Sequence, residues 1–133
     1  MSETSEQNLE TVRALYDAYA SRDVEGLMGT LHPDEFQIFQ SENLPWGGTY
    51  KGRDGLMEFV KNSTSYYEPV VVVEELIESD DRVIMIGRSR GTIKATGEAF
   101  DVRLVDVCRL RDGKLVAVDI FIDTTAILEL LGK

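Results

Sequence analysis

The chain has 133 residues, of which 43% are hydrophobic and 29% charged, so it can bury one core and is too apolar for a disordered segment. Its formal charge is -10, from 24 acidic and 14 basic residues, which argues against nucleic acid and anionic membranes as partners. The single Cys108 excludes an internal disulfide, and we find neither a signal sequence nor an apolar run that spans a bilayer. We expect one cytoplasmic domain over residues 1–133, with a core over about residues 8–131.

Two amphipathic helices are predicted at the start of the chain. The first runs to about residue 21, and its apolar side chains recur at helical spacing: Leu9, Val12, Tyr16 and Tyr19. Tyr16 therefore points inward. Asp23 suits the N-cap of a second helix, whose apolar positions repeat in the same way up to Leu31.

A short strand and an ordered loop precede a third helix. Residues 36–40 alternate in the manner of a strand, with Phe36, Ile38 and Gln40 on one side. The loop 45–52 is rich in turn formers but carries two large aromatic residues, Trp46 and Tyr50, so it does not resemble a linker. The third helix should start at about residue 53 and turn these residues inward: Leu56, Phe59, Val60 and Ser63.

The second half of the chain is predicted to be β-structure. Four segments rich in β-branched residues, 70–77, 82–93, 98–111 and 114–122, are separated by short turns, which favours an antiparallel meander. Residues 124–131 suit a terminal helical turn. Helices followed by hairpin-linked strands indicate an α+β fold, with about three N-terminal helices packed on a strongly curved antiparallel sheet that encloses a pocket.

This order of elements, together with two sequence features, resembles a known family. The features are the loop Leu44-Pro45-Trp46-Gly47-Gly48-Thr49-Tyr50-Lys51-Gly52 and the ending Arg111-Asp112-Gly113-Lys114-Leu115 followed by Phe121-Ile122-Asp123-Thr124. The chain is similar from residue 8 to 131 to the SnoaL-like polyketide cyclases and ketosteroid isomerase-related proteins of the nuclear transport factor 2-like superfamily. The resemblance implies a cone-shaped fold, a pocket for a hydrophobic small molecule and a homodimer. It fixes no single chemistry, because that superfamily mixes several kinds of enzyme with proteins that catalyse nothing.

Asp106 is the most informative residue for chemistry. If residues 100–110 alternate regularly, it is the only charged group on a face that it shares with Phe100, Val102, Leu104, Cys108 and Leu110. Burial disfavours the ionised carboxylate, so such a group is either protonated or paired. By its place in Val105-Asp106-Val107-Cys108-Arg109 it resembles the protonated aspartate of ketosteroid isomerase. A structural hydrogen bond is the alternative.

Tyr16, in the segment Leu15-Tyr16-Asp17-Ala18-Tyr19, resembles the oxyanion tyrosine of the same enzyme. Together, Tyr16 and Asp106 would bind an enolate or carbonyl oxygen. A core aromatic residue is the alternative for Tyr16. The resemblance is incomplete, because the isomerase has its basic carboxylate on the first strand, where residues 37–40 have none. Asp123 could supply the base instead, and its alternative is the N-cap of the terminal helix.

Six further residues are candidates for the pocket wall or mouth, each with a structural alternative. Arg90 on the sheet would bind an anionic substrate, or else lie in solvent. Trp46 and Tyr50 would form a wall or lid, or else anchor their loop. His32 suits the cavity or a helix end, and Cys108 suits the pocket wall or the core. The sixth candidate is Phe39 on the first strand.

Two functions are compatible with these residues. The first is a cofactor-independent isomerase, cyclase or other lyase-type enzyme acting on a hydrophobic carbonyl compound, with Asp106 and Tyr16 polarising the oxygen. The second is a ligand-binding or assembly domain that has the same pocket and no reaction. One cysteine and one histidine give no zinc-ligand spacing, and no phosphate loop is present, so we expect no metal and no cofactor.

Overall fold

The fold consists of four helices and six strands, seen in a computed structural model that describes residues 3–133. The helices are α1 (Glu3–Ser21), α2 (Val24–Gly29), α3 (Gly52–Thr64) and α4 (Thr124–Leu130). The strands are β1 (Gln37–Gln40), β2 (Gly48–Lys51), β3 (Tyr67–Ser79), β4 (Arg82–Ile93), β5 (Ala99–Arg111) and β6 (Lys114–Ile122). The α+β class predicted from the sequence is confirmed.

All six strands form one sheet, in the order β2-β1-β6-β5-β4-β3. The four long strands β3 to β6 pair as the predicted antiparallel meander. Their last turn has positive φ angles at Asp112 (55°) and Gly113 (71°), which is the backbone twist that a two-residue hairpin requires. Strand β1 instead lies parallel to β6, and the two are joined by the long connection 41–113, which includes β2, α3 and β3 to β5, rather than by a hairpin.

Two details of the predicted architecture were wrong, and a third is not confirmed. Helix α3 follows a strand, as the order of elements predicted, so the expected group of three N-terminal helices is not confirmed. Residues 48–51, interpreted as loop, form the edge strand β2 by pairing with β1. Thr49 and Tyr50 favour a strand, but they lie among glycines and other turn formers that indicated a loop. The sheet is also not strongly curled. Bulges, which bend strands, interrupt its register in only two places, after Val73 and after Arg109.

The two faces of the sheet differ in what covers them. On the inner face, alternate residues of β4 and β5 are buried beneath the helices. Helix α1 packs here through its predicted apolar stripe, with Leu9 and Val12 buried, and Thr11 Oγ1 donates a 2.6 Å hydrogen bond to the Gly113 carbonyl. On the opposite, outer face, Val70 and Phe121 remain 62% and 54% exposed. The inner face therefore positions the site described below.

Candidate functional site

Asp106 lies at the centre of the inner face, as the alternation of β5 predicts. Every second residue from Phe100 to Leu110 is buried, and Asp106 itself is 6% exposed. It pairs with Ile120 of β6 on one side and with Met85 of β4 on the other. A carboxyl group among apolar side chains must find a partner or lose its charge.

The partner is Tyr16, whose hydroxyl group donates a 2.7 Å hydrogen bond to Asp106 Oδ2. Helix α1 makes this contact possible by crossing the inner face with Tyr16 on its buried stripe. The second carboxyl oxygen, Oδ1, is buried and has no hydrogen-bond partner among residues 3–133. One oxygen of Asp106 is thus held by the protein, while the other is left available.

Burial determines the ionisation of this pair. Removal from water raises the pKa of Asp106 to about 7, although the hydrogen bond from Tyr16 acts in the opposite direction. Burial, followed by the nearby Asp106 carboxyl, raises the pKa of Tyr16 well above its ordinary value, so the phenol stays protonated. The carboxyl group therefore changes between its neutral and ionised forms near neutral pH, with a neutral phenol beside it.

The pair faces a cavity of about 100 Å³ between the helices and the sheet. A cavity of this size exceeds by several-fold the space that one water molecule occupies. Asp106 is the only carboxyl among its lining residues, which otherwise contribute apolar surface, four tyrosine or serine hydroxyls besides Tyr16, and one amide. The lining residues are Leu15, Tyr16, Tyr19, Leu27, Phe36, Ile38, Gln40, Leu56, Phe59, Val60, Ser63, Tyr67, Pro69, Val71, Ser89, Leu104, Asp106, Val118, Ile120 and Ile122.

Trp46 and Tyr50 do not line this cavity, but Trp46 packs against two residues that do, and Tyr50 holds Trp46. The Trp46 ring is 1% exposed and stacks on Tyr67 with a centroid distance of 4.7 Å. Its indole Nε1 donates a 2.8 Å hydrogen bond to Oε1 of Gln40, a lining residue. The Tyr50 hydroxyl donates to the Trp46 carbonyl oxygen at 2.7 Å. Of the two interpretations given above, loop anchoring is therefore the one that these contacts show.

Asp123 and His32 lie outside the cavity. Asp123 is exposed and caps α4, because its Oδ1 accepts a 3.1 Å hydrogen bond from the Ala126 backbone N–H. His32 lies in a separate surface groove, where its Nδ1 accepts hydrogen bonds from the backbone N–H groups of Asp34 and Glu35. Neither residue is placed to act on a ligand beside Asp106.

Arg90 and Phe39 were expected at the pocket, but both belong to the outer face. Arg90 Nε lies 3.4 Å from Asp101 Oδ2, and Arg88 Nε donates to the same carboxylate at 2.6 Å. Phe39 pairs with Asp119. Because side chains alternate along a strand, Phe39 lies on the face opposite to that of Ile38 and Gln40. The expectation for Arg90 failed because alternation identifies the two faces of a strand but not which of them is covered.

Cys108 lies on the inner face two residues beyond Asp106 and is completely buried. It does not line the cavity, and burial raises the pKa of its thiol, so nothing activates it. Its place fits the structural alternative, a small core residue.

Sequence reasoning overlooked Gln40 and Tyr67 as cavity residues. Gln40 was placed on the same side of its strand as Phe36 and Ile38 but was not considered for the cavity, although a lone polar group on an apolar face is the same signal that identified Asp106. No signal of this kind marked Tyr67, because Glu68 and Pro69 follow it and the predicted strand began only at residue 70.

Within the described part of the chain, no group of three or more metal-ligating side chains is present. None of the helices in residues 3–133 is both long enough and apolar enough to cross a membrane.

Comparison with known structures finds close matches over the full length. A nuclear transport factor 2-like protein of unknown function from Burkholderia pseudomallei is 28% identical, with a TM-score of 0.88 and 100% of both chains covered. TerC, crystallised with polyporic acid, is 28% identical, with a TM-score of 0.86 over 96% of this chain and 99% of TerC. A protein from Jannaschia sp. described as a SnoaL-like polyketide cyclase has the same fold, with 23% identity and a TM-score of 0.85 over 98% and 94% of the two chains.

The comparison with curated proteins gives no match. A family model described as a SnoaL-like domain matches residues 12–118, which include the second half of α1, the whole of β1 to β5 and the Asp106–Tyr16 pair. This chain therefore belongs to the SnoaL-like family of the nuclear transport factor 2-like superfamily.

Proposed function

We propose that the protein is a cofactor-independent isomerase, cyclase or related lyase-type enzyme that acts on a hydrophobic carbonyl compound bound beside Asp106 and Tyr16. The observation that carries the proposal is the hydrogen-bonded pair in a largely apolar cavity, with one oxygen of Asp106 unpartnered. A structural role for Asp106 would use both oxygens or an arginine, and neither is found. The polyporic acid crystallised with TerC, a protein of the same fold, supports a small organic ligand here.

The neutral pair can stabilise negative charge on a ligand oxygen. Asp106 and Tyr16 hold two acidic protons between them, and one of these forms their mutual hydrogen bond. The other proton is left to donate to a ligand, from Oδ1 of Asp106 or, if the mutual bond reverses, from the Tyr16 hydroxyl. As the ligand loses a proton from the carbon next to its carbonyl group, the enolate oxygen would accept this hydrogen bond.

The proton on carbon needs a separate acceptor. Asp123, the residue suggested by the sequence, is an exposed helix cap. No other carboxyl lines the cavity, so we propose that a water molecule admitted with the ligand moves the proton from one carbon to another. The C–H bond breaks as a water O–H bond forms, and a second C–H bond then forms from that water, so the reaction needs no oxidant or reductant.

Exchange of hydrogen for deuterium tests the proposal. An enolisable cyclohexenone incubated with the protein in deuterated water should lose its α-hydrogen NMR signal faster than in buffer. Asp106→Ala should slow this exchange about a hundredfold or more, in line with the loss of one oxyanion-hole donor. Asp106→Asn should slow it less, because its amide N–H still donates but is a far weaker acid than a carboxyl group. Asp112→Asn, the same change at an exposed turn, should leave the rate unaltered. Equal rates for native protein and buffer, across a panel of enones, would reject catalysis.

A ligand-binding domain without catalysis is the second candidate. The observation that favours it is the single carboxyl in the cavity, because the acid found on the first strand of ketosteroid isomerase is replaced here by Gln37 and Gln40. In that case, cyclic ketones would bind in calorimetric titrations and Asp106→Asn would weaken the binding, while no exchange would be catalysed.

We also propose that the outer face forms a homodimer. Its exposed apolar side chains, such as Val70, Ile77 and Phe121, are covered by no other part of the described chain. A second copy suits this face because it carries Arg88, Arg90, Arg103 and Arg109, which offset its acidic residues although the whole chain has a charge of -10. Light scattering should give twice the chain mass for native protein and the single mass for Phe121→Asp. A native monomer at micromolar concentration would reject the dimer.

A further inference from the structure

We propose that Gln40 binds a second oxygen of the ligand, so that the pocket selects apolar ring compounds with two acceptor oxygens at opposite ends. One oxygen would lie at Asp106 and Tyr16, and the other at the Nε2 amide group of Gln40. The inference rests on the proposed function, because it requires that the cavity hold a ligand beside Asp106. It makes Gln40 a specificity-determining residue of that site.

Trp46 fixes the orientation of the Gln40 amide. An indole N–H can only donate a hydrogen bond, so the atom of Gln40 that lies 2.8 Å from Trp46 Nε1 must be the carbonyl oxygen Oε1. Trp46 itself is held by its stack on Tyr67 and by the bond from Tyr50 to its carbonyl oxygen. The Nε2 group is therefore directed away from the Trp46 indole.

This Nε2 group is buried without a hydrogen-bond partner among the described residues. Gln40 is only 1% exposed and lines the cavity. A competing group is the Tyr67 hydroxyl: burial raises the pKa of this phenol, and the Gln40 amide lowers it in part, so the two groups are neighbours. The distance and angles of a hydrogen bond are not reached between them, and Nε2 stays unsatisfied. Buried polar groups are rarely left unsatisfied, and an amide with two unused N–H donors requires an acceptor. A ligand in the cavity would supply one.

The sheet register places the two unsatisfied groups in one row. Gln40 pairs with Ile120 across the parallel β1–β6 contact, and Asp106 pairs with the same Ile120 across β5–β6. Gln40 and Asp106 are thus two strands apart on the inner face, with roughly 10 Å between their Cα atoms. Ile120 forms an apolar floor between them. Both residues line the cavity, so a ring resting on Ile120 would lie between the two polar groups.

The two ends also have the same hydrogen-bonding character. Gln40 Nε2 can only donate, and the neutral Asp106–Tyr16 pair has one proton to donate. Carbonyl oxygens at both ends of a ring satisfy both groups. A ligand with one carbonyl oxygen and an alkyl group at the other end would leave the Gln40 amide buried and unpaired.

Two ketones of nearly the same shape test this inference. The first is para-diacetylbenzene, which has a carbonyl group at each end, and the second is para-ethylacetophenone, in which an ethyl group replaces one acetyl group. Calorimetry or ligand-detected NMR would give both Kd values for native protein, Gln40→Met and Asp106→Asn. Native protein should bind the diketone about tenfold more tightly, and in Gln40→Met this ratio should fall to about one.

The ratio separates this inference from the proposal on which it rests. If both ketones bind the native protein equally and Asp106→Asn weakens both, the pocket is supported and the role of Gln40 is refuted. If neither ketone binds, the proposed pocket fails and the inference fails with it. Should Gln40→Met not fold, Gln40→Leu removes the amide donor with a smaller apolar side chain. The preference for the diketone should again disappear in this variant, and its persistence would refute the inference.

Discussion

Replacing Asp106 with asparagine should change how the stability of the fold depends on pH. The substitution keeps the size of the side chain and an oxygen that can accept the hydrogen bond from Tyr16. It removes the only group in the cavity lining whose pKa is raised to about 7 by burial. The difference in stability between the two proteins therefore isolates the titration of this one carboxyl, because all other acidic residues are common to both.

The direction of this pH dependence follows from which state, folded or unfolded, binds the Asp106 proton more tightly. Between about pH 4 and pH 7 the folded protein keeps the Asp106 proton, whereas the unfolded chain has lost it, so native stability falls as the pH rises. The rise in pKa from 3.8 to about 7 corresponds to about 4 kcal/mol in total, at about 1.4 kcal/mol for each pH unit. Above about pH 7 the Asp106 carboxyl is ionised in both the folded and the unfolded state, so the decrease in native stability is complete. Asp106→Asn lacks this loss, so its stability relative to native protein should rise by about 3 kcal/mol from pH 5 to pH 8.

Urea unfolding followed by fluorescence measures this difference. Trp46 is the only tryptophan and is 1% exposed, so its emission reports directly on the fold. The free energies of unfolding of native protein and Asp106→Asn would be compared at the two pH values. Asp112→Asn provides the matched control, since its carboxyl is exposed in a turn. If the difference in free energy of unfolding between native protein and Asp106→Asn does not change with pH, burial does not raise the pKa of Asp106 and the prediction is refuted.

Three further substitutions test other contacts. Tyr16→Phe leaves Oδ2 of Asp106 without its hydrogen bond, so it should cost about 1–3 kcal/mol of stability and raise the carboxyl pKa further, as read from the carboxyl NMR shift. Asp123→Ala should cost about 1 kcal/mol by removing the α4 cap, while Asp123→Asn costs less, and neither should change ketone affinity in calorimetry. Arg90→Ala, on the outer face, should also leave ketone affinity unchanged, and a weakened Kd would show that it reaches the pocket.

The elements were largely predictable because their signals are local. The stripe of α1 and the alternation of β5 depend only on the periods of helix and strand, and the bounds of β4 and β6 follow from the turns beside them. Strand β2 was not predicted, because the strand preference of Thr49 and Tyr50 covers only two residues and glycines precede and follow them. Gly48 to Lys51 are held extended by pairing with β1, a contact that no local pattern encodes.

At the site, local periodicity was enough to predict that Asp106 and Tyr16 face inward, since each is a polar group on an apolar stripe. Their contact could not be predicted, because a 2.7 Å hydrogen bond between residues 90 positions apart depends on how α1 crosses the sheet. The same holds for Arg90, whose side chain is 61% exposed beside Asp101, and for Gln40, which the parallel pairing of β1 brings into the row of Asp106. Periodicity fixes the direction of a side chain relative to its own element, whereas packing decides what lies opposite.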